Sequence, residues 1–471
     1  MPAKKYIAFP GRIVIVGFGS IGQGVLPLVL RHLDMTPQQI TIVTAHEMGR
    51  PEAEAMGVDF ILKPLMRDNY VAVLDPLLAK GDFLLNVSVN VSSIDLIELC
   101  HRKGALYLDT CIEPWPGLYT DPRVPAAQRT NYKLREEALA LRKKYKSGPT
   151  AVLTHGANPG LVSHFVKEAL LNVAQAVNLN VARPKTRQEW AELAQSLEIK
   201  VIHIAERDTQ VSLYPKVPDE FVNTWSIDGF VGEGCQPAEL GWGSHERHFP
   251  EDGGRHESGS GAAIYLSRPG AATQVRSWTP LEGPYHGYLV THSESISIAD
   301  YYTVAANGKP AYRPTVHYAY HPCDAAVLSI HELAGKNWHM QKKTRLIMED
   351  IASGIDELGV LLMGHKKGAY WYGSRLSIGE ARRVVTYNNA TSLQVTAACL
   401  AGIIWAIENP DASIIEPDEM NFERILEICR PYLGEMVGAF SDWTPLRDRG
   451  RLFHEDVDAS DPWQFKNFRV S

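Results

Sequence analysis

The chain has 471 residues, 45% of them hydrophobic and 21% charged, with a formal net charge of −7. That length exceeds what one compact core usually holds, so two domains or one domain with a large insertion are expected, and the composition excludes a disordered or fibrous chain. The mildly acidic balance leaves no electrostatic footprint for nucleic acid and weakly favours a cationic ligand.

Along the first 155 residues, short apolar runs alternate with helix-like stretches. RIVIVG (12–17) is β-branched, ends at glycines and reads as a buried strand, followed by a helix from Ile21 to His32. QITIV (39–43), DFIL (59–62) and DFLLNVSV (82–89) read as further strands. Ser92 is placed to cap a helix over Ile94 to Lys103, with a strand at ALYLDT (105–110), an amphipathic helix at 131–144 and a last strand at TAVLT (150–154). Strands separated by helices imply βαβ units, hence a doubly wound parallel sheet of the Rossmann class over residues 1–155.

After HGANPG (155–160) the character changes. Residues 180–330 are rich in Gly, Pro, Trp and Tyr, with strand-like runs at 200–208, 261–267 and 287–304. This reads as an α+β domain with a mixed or antiparallel sheet, spanning about 156–384 and holding the substrate and the dimer contact. The glycine-rich stretch 241–261 is expected to be a surface loop or lid. Helix is expected again over Met340 to Ile355 and over 391–408, the latter with Leu393, Ala397, Leu400, Ile404 and Ile407 on one face and Thr391 or Ser392 as its cap. Helices within about 385–471 are expected to pack back on the first domain.

The six cysteines show no CxxC pair and read as free thiols in a reducing, cytoplasmic setting. MPAKKYIAFP lacks the apolar core of a signal peptide, and no apolar run reaches the about 18 residues that span a bilayer, so no membrane role is expected. His245-Glu246-Arg247-His248 lacks the HExxH spacing, and no metal is expected there. The Asn389-Ala390-Thr391 sequon has no bearing on a cytosolic chain.

Gly17-Phe18-Gly19-Ser20-Ile21-Gly22 is a full GxGxxG between the first strand and the first helix. Gly17 makes the tight turn, Gly19 admits the pyrophosphate to the backbone, Gly22 lets helix and strand approach, and the helix N-terminus faces the phosphates. A structural glycine turn is the plainer alternative, which the placement at the first βα turn disfavours. The ribose-binding acid expected near Thr44 is missing. Glu47 would favour NAD and Arg50 would favour NADP, with the motif leaning to NAD.

GFGSIG (17–22), NVSVNVSS (86–93), LDTCIEPW (108–115), HGANPG (155–160), NTWSIDGFVGEGCQPAELGWGSHE (223–246) and YHPCDAAVLSIHEL (320–333) together resemble the bacterial homospermidine synthase family of the saccharopine dehydrogenase-like group. The resemblance runs nearly end to end, and the 223–246 block is far more specific than the fingerprint. It implies an aminobutyl transferase with bound NAD. Such an enzyme oxidises one amine to an imine, exchanges ammonia for a second amine and returns the hydride, with putrescine and spermidine as substrates and a homodimer as the assembly.

A diamine calls for carboxylates at its ammonium ends and aromatics along its chain. The resemblance assigns the reacting amine to Glu206 and the ammonium groups to Glu233 and Glu113, where an unmatched Glu would be read as a solvated loop acid. Asn158 follows the last strand of the sheet and can place an amide near the nicotinamide (its plainer role being a turn before Pro159), and His292 can shuttle a proton, a structural histidine on a strand being the plainer alternative; Trp225 matches the family's cation–π gate, against a packing tryptophan. The implied cofactor contacts extend to Ser20, Ile21, Thr44, Ser88, Asp109, Thr110 and Asn158. Asn90 departs from the family pattern, in which many members carry Asp in a VDTSS-like segment; the resemblance then implies one negative charge fewer on the cofactor side of the amine pocket, which bears on binding strength more than on the type of reaction.

Two rival readings remain. Carboxynorspermidine or saccharopine dehydrogenases need cations for substrate carboxylates, whereas residues 200–240 supply mostly acids and aromatics. A non-catalytic NAD-binding regulator would have no perturbed acids and no turnover with amines.

Overall fold

The computed structural model describes residues 4–470. Seven parallel strands form the first sheet, in the order Ile414–Ile415, Ala151–Val152, Leu106–Asp109, Phe83–Asn86, Ile13–Val16, Ile40–Thr44 and Asp59–Leu62. Ile13–Val16 is buried along its whole length, as a β-branched central strand covered on both faces must be. The strand order reverses beside Ile13–Val16, so a crevice opens between the turns that follow it and Phe83–Asn86. The strand expected over 82–89 therefore ends at Asn86, and Val87 to Asn90 turn into that crevice, with Asn90 in the left-handed region at φ 65°. Ser92 caps the helix Ser93–Lys103 by accepting from Asp95 N–H, and the helix Asn131–Lys144 spans the expected residues.

The second sheet has ten strands and is mixed. Its centre is Val201–Asp208, parallel to Thr315–His321 on one side and antiparallel to Ile355–Met363 on the other. Every residue of Val201–Asp208 is buried. Ile202 and Ile204 face the main core, shared with the helices Leu161–Ala176 and Ala390–Glu408, whereas Val201 and Ala205 face a separate cluster that includes Trp443, Trp463 and Phe468. The two-residue period thus puts Glu206 and Asp208 on the side of the cofactor half.

Four local expectations are revised. Residues 287–304 are not all strand: Gly283–Tyr288 is followed by the helix Ser293–Tyr301, buried at every position but the second-to-last, Asp300 being the exception. A helix buried all round carries no polar face, so its period is invisible. The helix expected over Met340 to Ile355 is instead two short strands: Lys343–Leu346 pairs with Glu220–Asn223, and Ile351–Ser353 with Val211–Ser212. Tertiary pairing overrides local preference there. The cap of Ala390–Glu408 is Asn389, which accepts from Ser392 N–H. Residues 241–261 are pinned rather than free to act as a lid. Trp242 is buried, Gly253–Arg255 pairs with Ala263–Pro269, and Glu246 accepts from Phe465 N–H (2.9 Å) and the Thr315 hydroxyl (2.6 Å).

The C-terminal chain divides between the two sheets. Ala390–Glu408 lies on the helix Ser20–His32 and Ile414–Ile415 extends the first sheet, whereas Glu435–Ser441 is an end strand of the second. Among the described residues Ala390–Glu408 alone is long and apolar enough to cross a membrane, and 89% of its apolar window is buried inside the fold.

Candidate active site

The cofactor crevice is built by glycine geometry. Gly17 has φ +88°, and a Cβ there would lie 2.8 Å from the Ser88 backbone, so only glycine permits the two turns to meet. At Gly19 a Cβ would meet nothing within 4 Å, which leaves open space directly before the helix Ser20–His32. That helix has no side-chain cap and no acid in its first turn, so its first N–H groups and positive dipole end face the opening. A pyrophosphate fits both the space and the charge. Ser20 and Ile21 begin this helix and Gly22 packs against the Gly17 carbonyl. Thr44 ends its strand beside the crevice, and Ser88 donates from Oγ to Asn86 Oδ1 (2.6 Å). Arg50 is paired with both Glu47 and Glu54 and lies over the Phe60 ring (4.5 Å), so its charge is already met, which suits a ribose without a 2′-phosphate. Asp109 is fully buried and spent internally, accepting from the Tyr107 hydroxyl (2.8 Å) and Thr154 N–H (2.6 Å), with Thr110 next in the turn.

From this crevice a string of polar side chains runs into the second domain. Asn158 donates to Glu206 Oε2 (2.9 Å), which also accepts from the Tyr318 hydroxyl. Tyr318 stacks on Tyr320 (5.1 Å) and lies 4.5 Å from the His292 ring. His292 Nε2 bonds Glu233 Oε2 (3.0 Å), and Glu233 Oε1 lies 3.8 Å from the Cys111 thiol. Glu113 closes the string, accepting from Asn90 N–H (3.2 Å). Among the described residues no Lys or Arg forms an ion pair with Glu113, Glu206 or Glu233. The structure thus brings together Asn90, Glu113, Asn158, Glu206, Glu233 and His292. Trp225 joins at the side, half-buried, donating from Nε1 to the Tyr320 hydroxyl (3.0 Å) and tilted against Phe230.

Burial of carboxylates without cations has a predictable electrostatic result. Burial pushes Glu206 up to about 7 against the opposing bonds from Tyr318 and Asn158, and pushes Glu113 up to about 8, with Glu233 adding repulsion. His292 behaves oppositely: burial disfavours its charge, but Glu294 and Glu233 outweigh that and hold it well above its ordinary value. Glu294 Oε1 lies 3.3 Å from His292 Nδ1.

Several members of the site escaped the sequence reading. Asp208 and Asp356 face each other in register beside Glu206, both fully buried, and Asp356 has no hydrogen-bond partner on either oxygen. The alternation of Glu206 with Asp208, and of Tyr318 with Tyr320, in otherwise apolar strands was the available signal, since two-residue spacing places each pair on one face. Glu294, on a helix read as strand, had no such signal.

The chain matches the saccharopine dehydrogenase NADP-binding domain model over residues 13–152 and the saccharopine dehydrogenase C-terminal domain model over 156–441. It is 54% identical over 470 residues to homospermidine synthase of Blastochloris viridis, covering 99% of this chain and 98% of that one. It is 49% identical to the Mesorhizobium japonicum homospermidine synthase, covering 99% and 97%. The crystal structure of Legionella pneumophila homospermidine synthase in complex with NAD superposes with a TM-score of 0.93 at 53% identity over 99% of both chains. Saccharopine dehydrogenase of Saccharomyces cerevisiae, at 10% identity and a TM-score of 0.51 over 92% of this chain and 100% of that one, shares the fold. With a pyrophosphate cradle, a string of buried acids that no Lys or Arg pairs, and about half of its residues identical to those enzymes over nearly the full length, the chain belongs to the homospermidine synthase family and is an NAD-dependent enzyme of that type.

Proposed function

We propose that this enzyme joins two putrescine molecules, or putrescine and the aminobutyl group of spermidine, into homospermidine. The observation that carries the reading is the set of buried carboxylates, Glu113, Glu206 and Glu233, which lie along one string of polar side chains with no Lys or Arg partner among the described residues. A dicationic amine supplies the missing charge and hydrogen-bond donors.

NAD, when bound, accepts a hydride from the first amine and returns it to the imine formed with the second. Glu206, titrating near neutrality, takes the proton that frees the lone pair of the reacting amine, and Asn158 orients that carboxylate. His292 starts protonated between two carboxylates, so it gives a proton before it accepts one, as departing ammonia requires. Glu233 and Glu113 hold ammonium groups, and Asn90 lends its backbone N–H to Glu113. Trp225 offers an indole face to the passing cation. Residues 1–155 hold the cofactor and 156–384 the amines, in a cytoplasmic homodimer.

The test follows deuterium-labelled putrescine with NAD by mass spectrometry and nicotinamide absorbance. Homospermidine and ammonia in equal amounts, without accumulation of reduced cofactor, are expected. Steady accumulation of reduced cofactor, or no amine product, overturns the reading. Light scattering of the 52.3 kDa chain tests the dimer, and a monomer mass at working concentration overturns it.

A further inference from the structure

The segment that carries His292 is held by an acid the reaction has not used. Glu239, on the strand Pro237–Gly241, is fully buried. Its Oε2 accepts from Asn131 N–H (2.7 Å) and from the Thr291 hydroxyl (2.6 Å), while Oε1 accepts from Tyr132 N–H (3.2 Å). Asn131 and Tyr132 open the helix Asn131–Lys144 of the cofactor half, and Thr291 immediately precedes His292. One oxygen therefore bridges the two halves of the molecule. Asn131 Nδ2 donates to Thr291 Oγ1 (3.3 Å), which fixes the direction in which that hydroxyl donates.

A helix cap alone would not need this arrangement. Thr130 already caps the helix locally by accepting from Lys133 N–H, and no acid lies in its first turn, so the acceptor for the first two N–H groups comes from the opposite domain. One turn further on, Arg135 takes Asp300 (2.8 Å) at the far end of the helix Ser293–Tyr301, of which His292 is the N-cap. That helix is thus held at both ends by one helix of the cofactor half.

We propose that Glu239 is a positioning residue: by binding the cofactor-side helix and the Thr291 hydroxyl together, it holds His292 against Glu233. The proposal rests on the reading of His292 as a proton donor. The charged and titratable groups facing His292 are Glu233, Glu294 on its own helix, and Tyr318 with Glu206 behind it. His256 faces Glu239 at 3.9 Å, kept neutral because burial lowers its pKa to about 4.

Thr291→Val deletes the bridging hydroxyl and leaves Glu239 on the helix. Thr291→Ser keeps the bridge, and Ile298→Val trims a buried apolar side chain on the same helix. In NAD-loaded, histidine-labelled protein the His292 ring is identified by its loss in His292→Asn and titrated by NMR, alongside turnover and Tm. Thr291→Val is expected to lower the His292 midpoint by about one unit or more, the scale of one weakened charge contact, and turnover about tenfold. Thr291→Ser should restore both, and Ile298→Val should move Tm alone. Glu239→Gln shares the Thr291→Val expectation, because its amide must oppose one of three donors, and it serves if Thr291→Val fails to fold. A lowered midpoint with unchanged turnover upholds the positioning role and removes His292 from the chemistry. An unmoved His292 midpoint overturns the proposal whatever Tm does.

Discussion

Glu206 accepts two hydrogen bonds yet keeps its proton up to about 7, because burial beside Asp208 outweighs the donors. A base must be ionised to work, so kcat/KM for putrescine should rise through about pH 7, and Glu206→Gln should lower turnover on the order of 10²-fold and remove that limb. Glu113 gives a stability test with a defined sign. Its carboxyl ionises at about 8 in the folded chain and near 4.3 unfolded, so the unfolded state loses the proton first and wild-type stability drops across that window. Glu113→Gln lacks this proton, and its Tm relative to wild type should climb from pH 5 to 8, a gain that saturating putrescine should cancel by stabilising the wild-type carboxylate. Equal pH dependence in both proteins would remove Glu113 from the buried acids. Trp225 is half-buried and bonded to Tyr320, so Trp225→Phe should keep partial activity and Trp225→Ala should lose most of it, with NAD binding untouched in both. A core tryptophan would cost ~3–5 kcal/mol on truncation. Activity lost only in step with Tm would mark Trp225 as packing.

At the scale of elements, the turn from Ile13–Val16 into Ser20–His32 separates two glycines with different duties. Gly19→Val adds a side chain into open space, so the fold should survive while calorimetric NAD binding disappears. Gly17→Val meets the Ser88 backbone at 2.8 Å in a left-handed conformation, and folding itself should fail, seen as lost soluble yield. Retained NAD affinity in Gly19→Val would displace the cradle. These elements are legible in the sequence because a buried strand, a glycine turn and an amphipathic helix each leave a local pattern. Ser293–Tyr301 and the strands near 343–353 leave no such pattern, because burial on nearly all sides or pairing with distant chain sets their conformation.

Across the whole molecule, one ion network ties the halves. Arg135, on the cofactor-side helix with its side chain 4% exposed, pairs with Asp300 and with Glu416 (2.6 Å). Arg135→Met takes the buried guanidinium from the partly buried Glu416 and leaves Asp300 with Arg187 alone, and should cost about 1–3 kcal/mol in denaturant unfolding. A loss below 1 kcal/mol would show that water reaches both acids once Arg135 is gone.

The sequence by itself determined the cofactor fingerprint, the parallel strand series and the family, since each is written in contiguous residues. Asn90, Glu113, Asn158, Trp225 and Glu233 lie in motif blocks that carry the resemblance, whereas Glu206 and His292 lie in strand-like runs outside them. Only the tertiary structure decided how these residues meet. Tyr318 reaches Glu206 from 112 positions away, Asp356 faces Asp208 across a strand pair, and Glu239 spans 108 positions to Asn131. Those distances are closed by sheet register and domain packing, which depend on the summed burial of the whole chain and leave no mark at any single position.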